Sequence, residues 1–465
     1  MSGDVKMNKM GTANIKKLML TMGLPMILSM VLQAFYNIVD SYFVSQIPGG
    51  MGDNAINALT LAFPIQILMI AIGVGTGVGV NSLLSRQLGQ GDKLGASKTA
   101  GNAIFIGICT YVVFLAFGIV GVRPYISSQT GDQVIIEMGV EYLAICSILS
   151  FGSILSMIYE KMLQATGRTV MSMIAQLAGA LTNIVLDPIM IFGYFGCPEL
   201  GVAGAAYATV IGQIVTLIIS LCLHHFCNKD LHTHIKYIRP EGRIIGNIYK
   251  VGAPAILMQA LTSFMSYGVN MIFGAVSTGC VTAYGVYYKI QQFVFFAAFG
   301  MNNAIIPIVA FNYGMGDKKR IKDGIRWGIT YILIIMALGT LLLEIFAGPI
   351  AGIFKLEDHT LWLCELAIRI ISIGYLFAGV NIAAQAVFQA LGNGVKSLIV
   401  SLVRMIIVPL PAALLLTHMS NAEAVIWYSF PLGEIIGFVV SIFLLAYITK
   451  RTINKINDKF EEKEI

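Results

Sequence analysis

Charge is scarce in this sequence. Asp, Glu, Lys and Arg make up 12% of its 465 residues, against roughly a quarter in soluble domains. A chain that is 57% hydrophobic cannot clothe itself in a water-facing surface with so few charges, which excludes a soluble globular protein. Cysteine is sparse too. The seven cysteines (109, 146, 197, 222, 227, 280 and 364) are scattered, mostly inside apolar runs, and spell neither a disulfide framework nor a zinc site. The one cluster, Cys222, His224, His225, Cys227, His232 and His234, fits no structural zinc spacing. A phosphate loop is also missing: LGNGVKS at 391–397 lacks the Gly-Lys pair, so ATP hydrolysis is not supported. No cleavable leader is evident, because Lys6, Lys9, Lys16 and Lys17 run into an apolar stretch too long for a signal core.

What the chain has is long apolar runs. They predict an all-α integral membrane protein with twelve spans, near 15–45, 54–85, 95–120, 134–160, 170–195, 201–224, 247–276, 280–312, 323–348, 360–390, 397–417 and 423–448. Of the 30 Lys and Arg residues, 25 fall in the termini and in loops of one parity, including the loop assigned to Lys161 and Arg168. Arg123 and Lys355 alone fall in the opposite loops, and Lys289, Arg369 and Arg404 within spans. The positive-inside bias therefore puts both termini in the cytoplasm of a multi-pass cell-membrane protein. It also accounts for the net charge of +6 without a nucleic-acid partner.

The sequence repeats. Gly23-Leu24-Pro25 returns as Gly252-Ala253-Pro254, and Leu88-Gly89-Gln90-Gly91-Asp92 as Tyr313-Gly314-Met315-Gly316-Asp317. Gln164-Ala165-Thr166-Gly167 returns as Gln389-Ala390-Leu391-Gly392, and Tyr207 with Gly212 as Tyr428 with Gly433. The small changes in offset fall near Pro48–Asp53 and Cys197–Leu200, where loops are expected. Four matches in order mark a duplication. Six spans per copy is an even number, so the copies share an orientation: two six-helix bundles related by a pseudo-two-fold along the membrane normal, with a cavity between them. The expected units are 1–228 (first bundle, with the cation site), a basic linker at 229–246, and 247–465 (second bundle and basic tail).

Two carboxylates lie deep in the apolar runs of the first half, Asp40 in NIVDSYFVS and Asp187 in LTNIVLDPIMIFG. A charge at mid-span costs roughly 2.5–3.5 kcal/mol on insertion scales, so each needs a partner, an ion or a proton. No basic residue is expected deep in the first six spans. Asn183 lies one turn before Asp187, Pro188 frees the carbonyl of Ile184, and Thr209 is a hydroxyl in a small-residue run. Two acids, an amide, a hydroxyl and a free carbonyl make an oxygen-rich cage suited to Na⁺ or a shared proton. Its counterparts in the second half are Val269 and Ala412. Lys289 and Arg404 are expected to pair with Glu434 or with backbone carbonyls. A substrate wall is sought among Tyr36, Asn37, Met157, Tyr284, Tyr288, Lys289 and Gln292, and hinges at Pro25 and Pro188.

NIVDSYFVS, SRQLGQGD, LQATGR, TNIVLDPIMIFG, GVAGAAYATVIGQ and AFNYGMGD, in this order and spacing, make the chain resemble the multidrug and toxic compound extrusion (MATE) family, in its bacterial DinF-like branch. The resemblance implies a non-enzymatic antiporter, a functional monomer without a cofactor. It would export drug-like, mainly cationic organic molecules in exchange for Na⁺ or H⁺ by alternating access. Carried over by motif, the family's cation site is Asp40, Asn183, Asp187 and Thr209. Two rivals stand beside it. A flippase for lipid-linked glycans would want a cavity rich in Arg and Lys. An intramembrane aspartyl protease would want Tyr-Asp and Gly-x-Gly-Asp around its acids, where this chain has Val-Asp-Ser and Leu-Asp-Pro.

Overall fold

The computed structural model describes residues 8–47, 51–231 and 233–456; Lys6, Pro48, His232 and the tail to Lys463 lie outside them. Among the described residues every regular element is helical. The spans are α1 (Ile15–Ser45), α2 (Gly52–Gly89), α3 (Lys93–Ser127), α4 (Gln133–Ile148 and Phe151–Ala165), α5 (Thr169–Phe192) and α6 (Val202–Cys227). The second set is α7 (Gly242–Gly274), α8 (Thr278–Met315), α9 (Lys318–Gly352), α10 (Asp358–Ser372 and Tyr375–Ala390), α11 (Gly394–Leu416) and α12 (Ala422–Ile453).

The repeated motifs are the turns. Gly91 and Gly316 take φ values of 77° and 79°, a left-handed conformation that glycine enters without a Cβ penalty. The aspartate that follows each one caps the next helix: Asp92 accepts from the Gly95 amide and Asp317 from the Arg320 amide, both at 2.8 Å. Gly167 and Gly392 end α4 and α10 in the same left-handed way.

Three features depart from the sequence reading. The fourth and tenth spans are bent pairs, by 45° and 53°, at breaks that contain no proline. Lys161 is not in a loop: α4 continues to Ala165, and Lys161 lies inside it, 8% exposed. A basic group is therefore buried in the first six spans after all. Asp40 and Asp187 are also not the only acids within the first six spans, since Glu160 lies in α4 beside Gln176 (3.0 Å).

The two bundles meet through equivalent contacts. A Cβ on Gly75 of α2 would strike Ile256 of α7, and one on Gly300 of α8 would strike Ile27 of α1. A Cβ on Gly89 would meet the carbonyl of Phe311, and one on Gly314 that of Arg86. Each pair is the duplicate of the other, so α1 against α8 and α7 against α2 form a self-complementary interface about the pseudo-two-fold. Small residues let these backbones approach closely, which is how helices associate where lipid removes the hydrophobic drive.

These contacts lie toward the end of the molecule that holds Arg86, Lys161 and Arg320. There Ser82 Oγ donates to the Gln389 carbonyl (2.6 Å) and Lys161 Nζ to Asn303 Oδ1 (2.7 Å). The short helix Lys9–Thr12 bridges the two bundles: Asn8 donates to the Thr166 carbonyl, and Asn312 and Arg320 both donate to that of Met10. Toward the opposite end the facing stripes are exposed, with Ile38 of α1 at 52% and Tyr267 of α7 at 67%. The bundles are shut at the basic end and parted at the far one.

Candidate functional site

The pocket in the first bundle is built by α1, α5 and α6. Asn183 and Asp187 share the buried face of α5, 3% and 0% exposed. Asn183 Nδ2 lies 3.2 Å from Asp187 Oδ1 and 3.4 Å from Thr209 Oγ1 of α6. Asp40, brought in by α1, lies within electrostatic reach of Asp187. The four residues expected to form a cage do come together.

The pocket has spare ligand capacity. Asp40 Oδ1, Asp187 Oδ2 and Asn183 Oδ1 are buried and have no hydrogen-bond partner among the described residues. Buried acceptors left unpaired are costly, and three converging from separate positions fit a cation or a proton. Pro188, inside α5, denies the Ile184 carbonyl its usual donor one turn on.

The sequence reading missed part of this chamber. Gln66 of α2 donates to Tyr142 Oη (3.2 Å) and approaches Cys146 Sγ (3.8 Å), and both α4 groups lie within electrostatic reach of Asp40. Tyr36 also lies within electrostatic reach of both carboxylates. Glutamine and tyrosine inside an apolar run were the available signal, but only contact across helices ties them to Asp40.

The expected substrate wall is only partly realised. Tyr284 is buried, stacked on Phe430 at 5.7 Å and edge-on to Phe273, so it is core of the second bundle and not cavity lining. Tyr288 leans on Tyr284, and the Met157 sulfur packs over Gly73 of α2. Asn37, Lys289 and Phe293 are exposed, and Gln292 is half-buried. Pro25 and Pro188 both lie within helices, in α1 and α5.

Arg404 pairs as expected. Its guanidinium meets Glu434 Oε1 at 2.7 Å, Asn381 takes Oε2 at 2.8 Å, and Ser441 closes the network on Asn381. Lys289 does not: among the described residues it finds no hydrogen-bond or ion-pair partner, which corrects that half of the expectation. His224, from the Cys/His cluster, is taken up by Asn228 and the edge of Tyr159.

Two six-span bundles around a pseudo-two-fold, sealed at one end and open at the other, with a polar chamber inside one of them, define a secondary transporter. Residues 25–189 and 254–415 match the MatE family, once in each bundle, and the chain belongs to that family. Among curated relatives it is similar to the multidrug export protein MepA of Staphylococcus haemolyticus, 25% identical over 446 residues that span 95% of this chain and 96% of the relative. MepA of Staphylococcus aureus is 26% identical over 422 residues, 88% and 89% of the two chains. A structure of a multidrug resistance MATE family transporter in its outward-facing conformation superposes with a TM-score of 0.88 at 23% identity, over 96% of this chain and 99% of that one. MATE in the straight conformation gives 0.89 at 23% identity, over 97% and 99%.

Proposed function

We propose that this protein is a multidrug efflux antiporter that exports organic compounds across the cell membrane in exchange for Na⁺ or H⁺. The observation that carries the reading is the pocket of Asp40, Asn183, Asp187 and Thr209, with three buried oxygens unpartnered. MatE membership and the MepA relatives support the transport activity. The basic end, by its Lys and Arg content, is the cytoplasmic one, with both termini there, and the cleft then opens outward. The working units are a first bundle at 1–228, a linker at 229–246 and a second bundle from 247 to 465, acting as a monomer.

A cation binding between Asp40 and Asp187 pulls α1 onto α5 and biases the angle at which α1 leaves the α8 contact. Pro25, near that contact, and Pro188, beside the acid, are the places where helix direction can change at least cost. The ion acts only through its different affinity for the two states of α1. The test is export of a fluorescent cargo from proteoliposomes under separately imposed Na⁺ and pH gradients. One gradient should drive uphill export, and export indifferent to both would refute the coupling.

A further inference from the structure

Among the described residues on the stripes that face each other across the cleft, Lys289 stands alone as a full charge. Its orientation follows from the helix phase. Gly300 of α8 touches Ile27 of α1, and Lys289 lies eleven residues earlier, about three turns and about 16 Å along the same face. Gly285, one turn beyond, has open space where its Cβ would be. The stripe therefore continues from the sealed contact into the parted region, and Lys289 projects there, exposed and without a partner.

Extending the other contacts in the same way leaves the cleft walls uncharged. From Ile27, α1 presents Ile38; from Gly75, α2 presents Leu68. From Ile256, α7 presents Ser263, Tyr267 and Asn270, all exposed. Asp40 lies on the other side of α1, turned toward α5. The acids are thus held inside the first bundle, and what the cleft offers a cargo is an ammonium beside exposed aromatic faces, Tyr267 and Phe293.

We propose that Lys289 is a cargo-binding residue and that the preferred cargo is an aromatic molecule bearing a carboxylate, an organic acid or a zwitterion, instead of a simple organic cation. This rests on the antiporter reading and narrows its substrate class. An alternating-access cycle must close the far end over Lys289. Burying an unpaired ammonium is unfavourable, and a carboxylate on the cargo supplies the missing partner while its ring lies on Tyr267 or Phe293. A cargo with positive charge alone meets only repulsion there.

The test uses a rhodamine with a free carboxylate and its methyl ester, exported by the full-length protein in proteoliposomes. The wild type should export the carboxylate dye faster than the ester. In Lys289→Gln the ratio of the two rates should fall about tenfold, as for loss of a hydrogen bond to a charged group, and Lys289→Arg should restore it. A ratio unchanged in Lys289→Gln, or a wild type that prefers the ester, would overturn the proposal. The wild-type preference stands as a test even if the glutamine variant fails to insert. Export of neither dye under any gradient would overturn the antiporter reading and this one with it.

Discussion

At the scale of residues, the molecule separates two kinds of buried charge. Arg404 and Glu434 satisfy one another with side-chain exposures of 7% and 15%, and Asn381 completes the set. Removing one partner strands the other: Arg404→Met should cost about 3–5 kcal/mol, read as a lowered unfolding temperature in detergent, while Arg404→Met with Glu434→Leu should recover most of it. The Asp40 pocket is the opposite case, since its acceptors are left open. Asn183 spans Asp187 and Thr209, so Asn183→Ala should weaken the apparent affinity for the driving cation by about tenfold and change the maximal rate less. A cation-concentration series in proteoliposomes checks this. Asp40 and Asp187 were legible in the sequence because an acid in an apolar run has few innocent explanations. Gln66, Tyr142 and Cys146 were not, because nothing in a single run of residues says that α2 and α4 bring their polar groups to the same chamber as Asp40.

At the scale of elements, the glycines of α8 report the interface. Gly300 presses on the backbone of Ile27, whereas Gly285 faces open space. Alanine is the better helix former at both places, so helix propensity alone favours both substitutions. Gly300→Ala should nevertheless cost about 1–3 kcal/mol through overpacking and depress export, and Gly285→Ala should leave stability near the wild type. Thermal unfolding of the two variants side by side decides it. The helices themselves were readable from apolar length, and their turns from the repeated glycine and aspartate. The bends in α4 and α10 escaped notice because no proline marks them, and Lys161 was misplaced because a lysine near the end of a span looks like a loop residue until its partner, Asn303 of α8, is seen.

At the scale of the whole molecule, duplication explains both the symmetry and its breakage. The paired contacts of Gly75 with Ile256 and Gly300 with Ile27 are one contact used twice, yet only the first copy carries the acids, with Val269 and Ala412 standing at the equivalent places. On the coupling proposed here, one bundle senses the cation and both move. The basic end must therefore open during turnover, which breaks the Lys161–Asn303 bond and the clasp on Met10. Cysteines at 161 and 303, joined by a short bifunctional maleimide in a background without native cysteines, should arrest export in proportion to cross-linking. Export that persists in the fully joined protein would mean the two bundles do not part there.

The central claim is that Asp40 and Asp187 together couple a cation to cargo movement. Its most direct measurement is cargo transport by Asp40→Asn and Asp187→Asn in proteoliposomes, with and without an imposed gradient of the driving cation. Each variant should lose uphill export and still exchange cargo down its own gradient, and the double variant should be no worse than either single one. Uphill export at the wild-type rate in either variant would contradict the account.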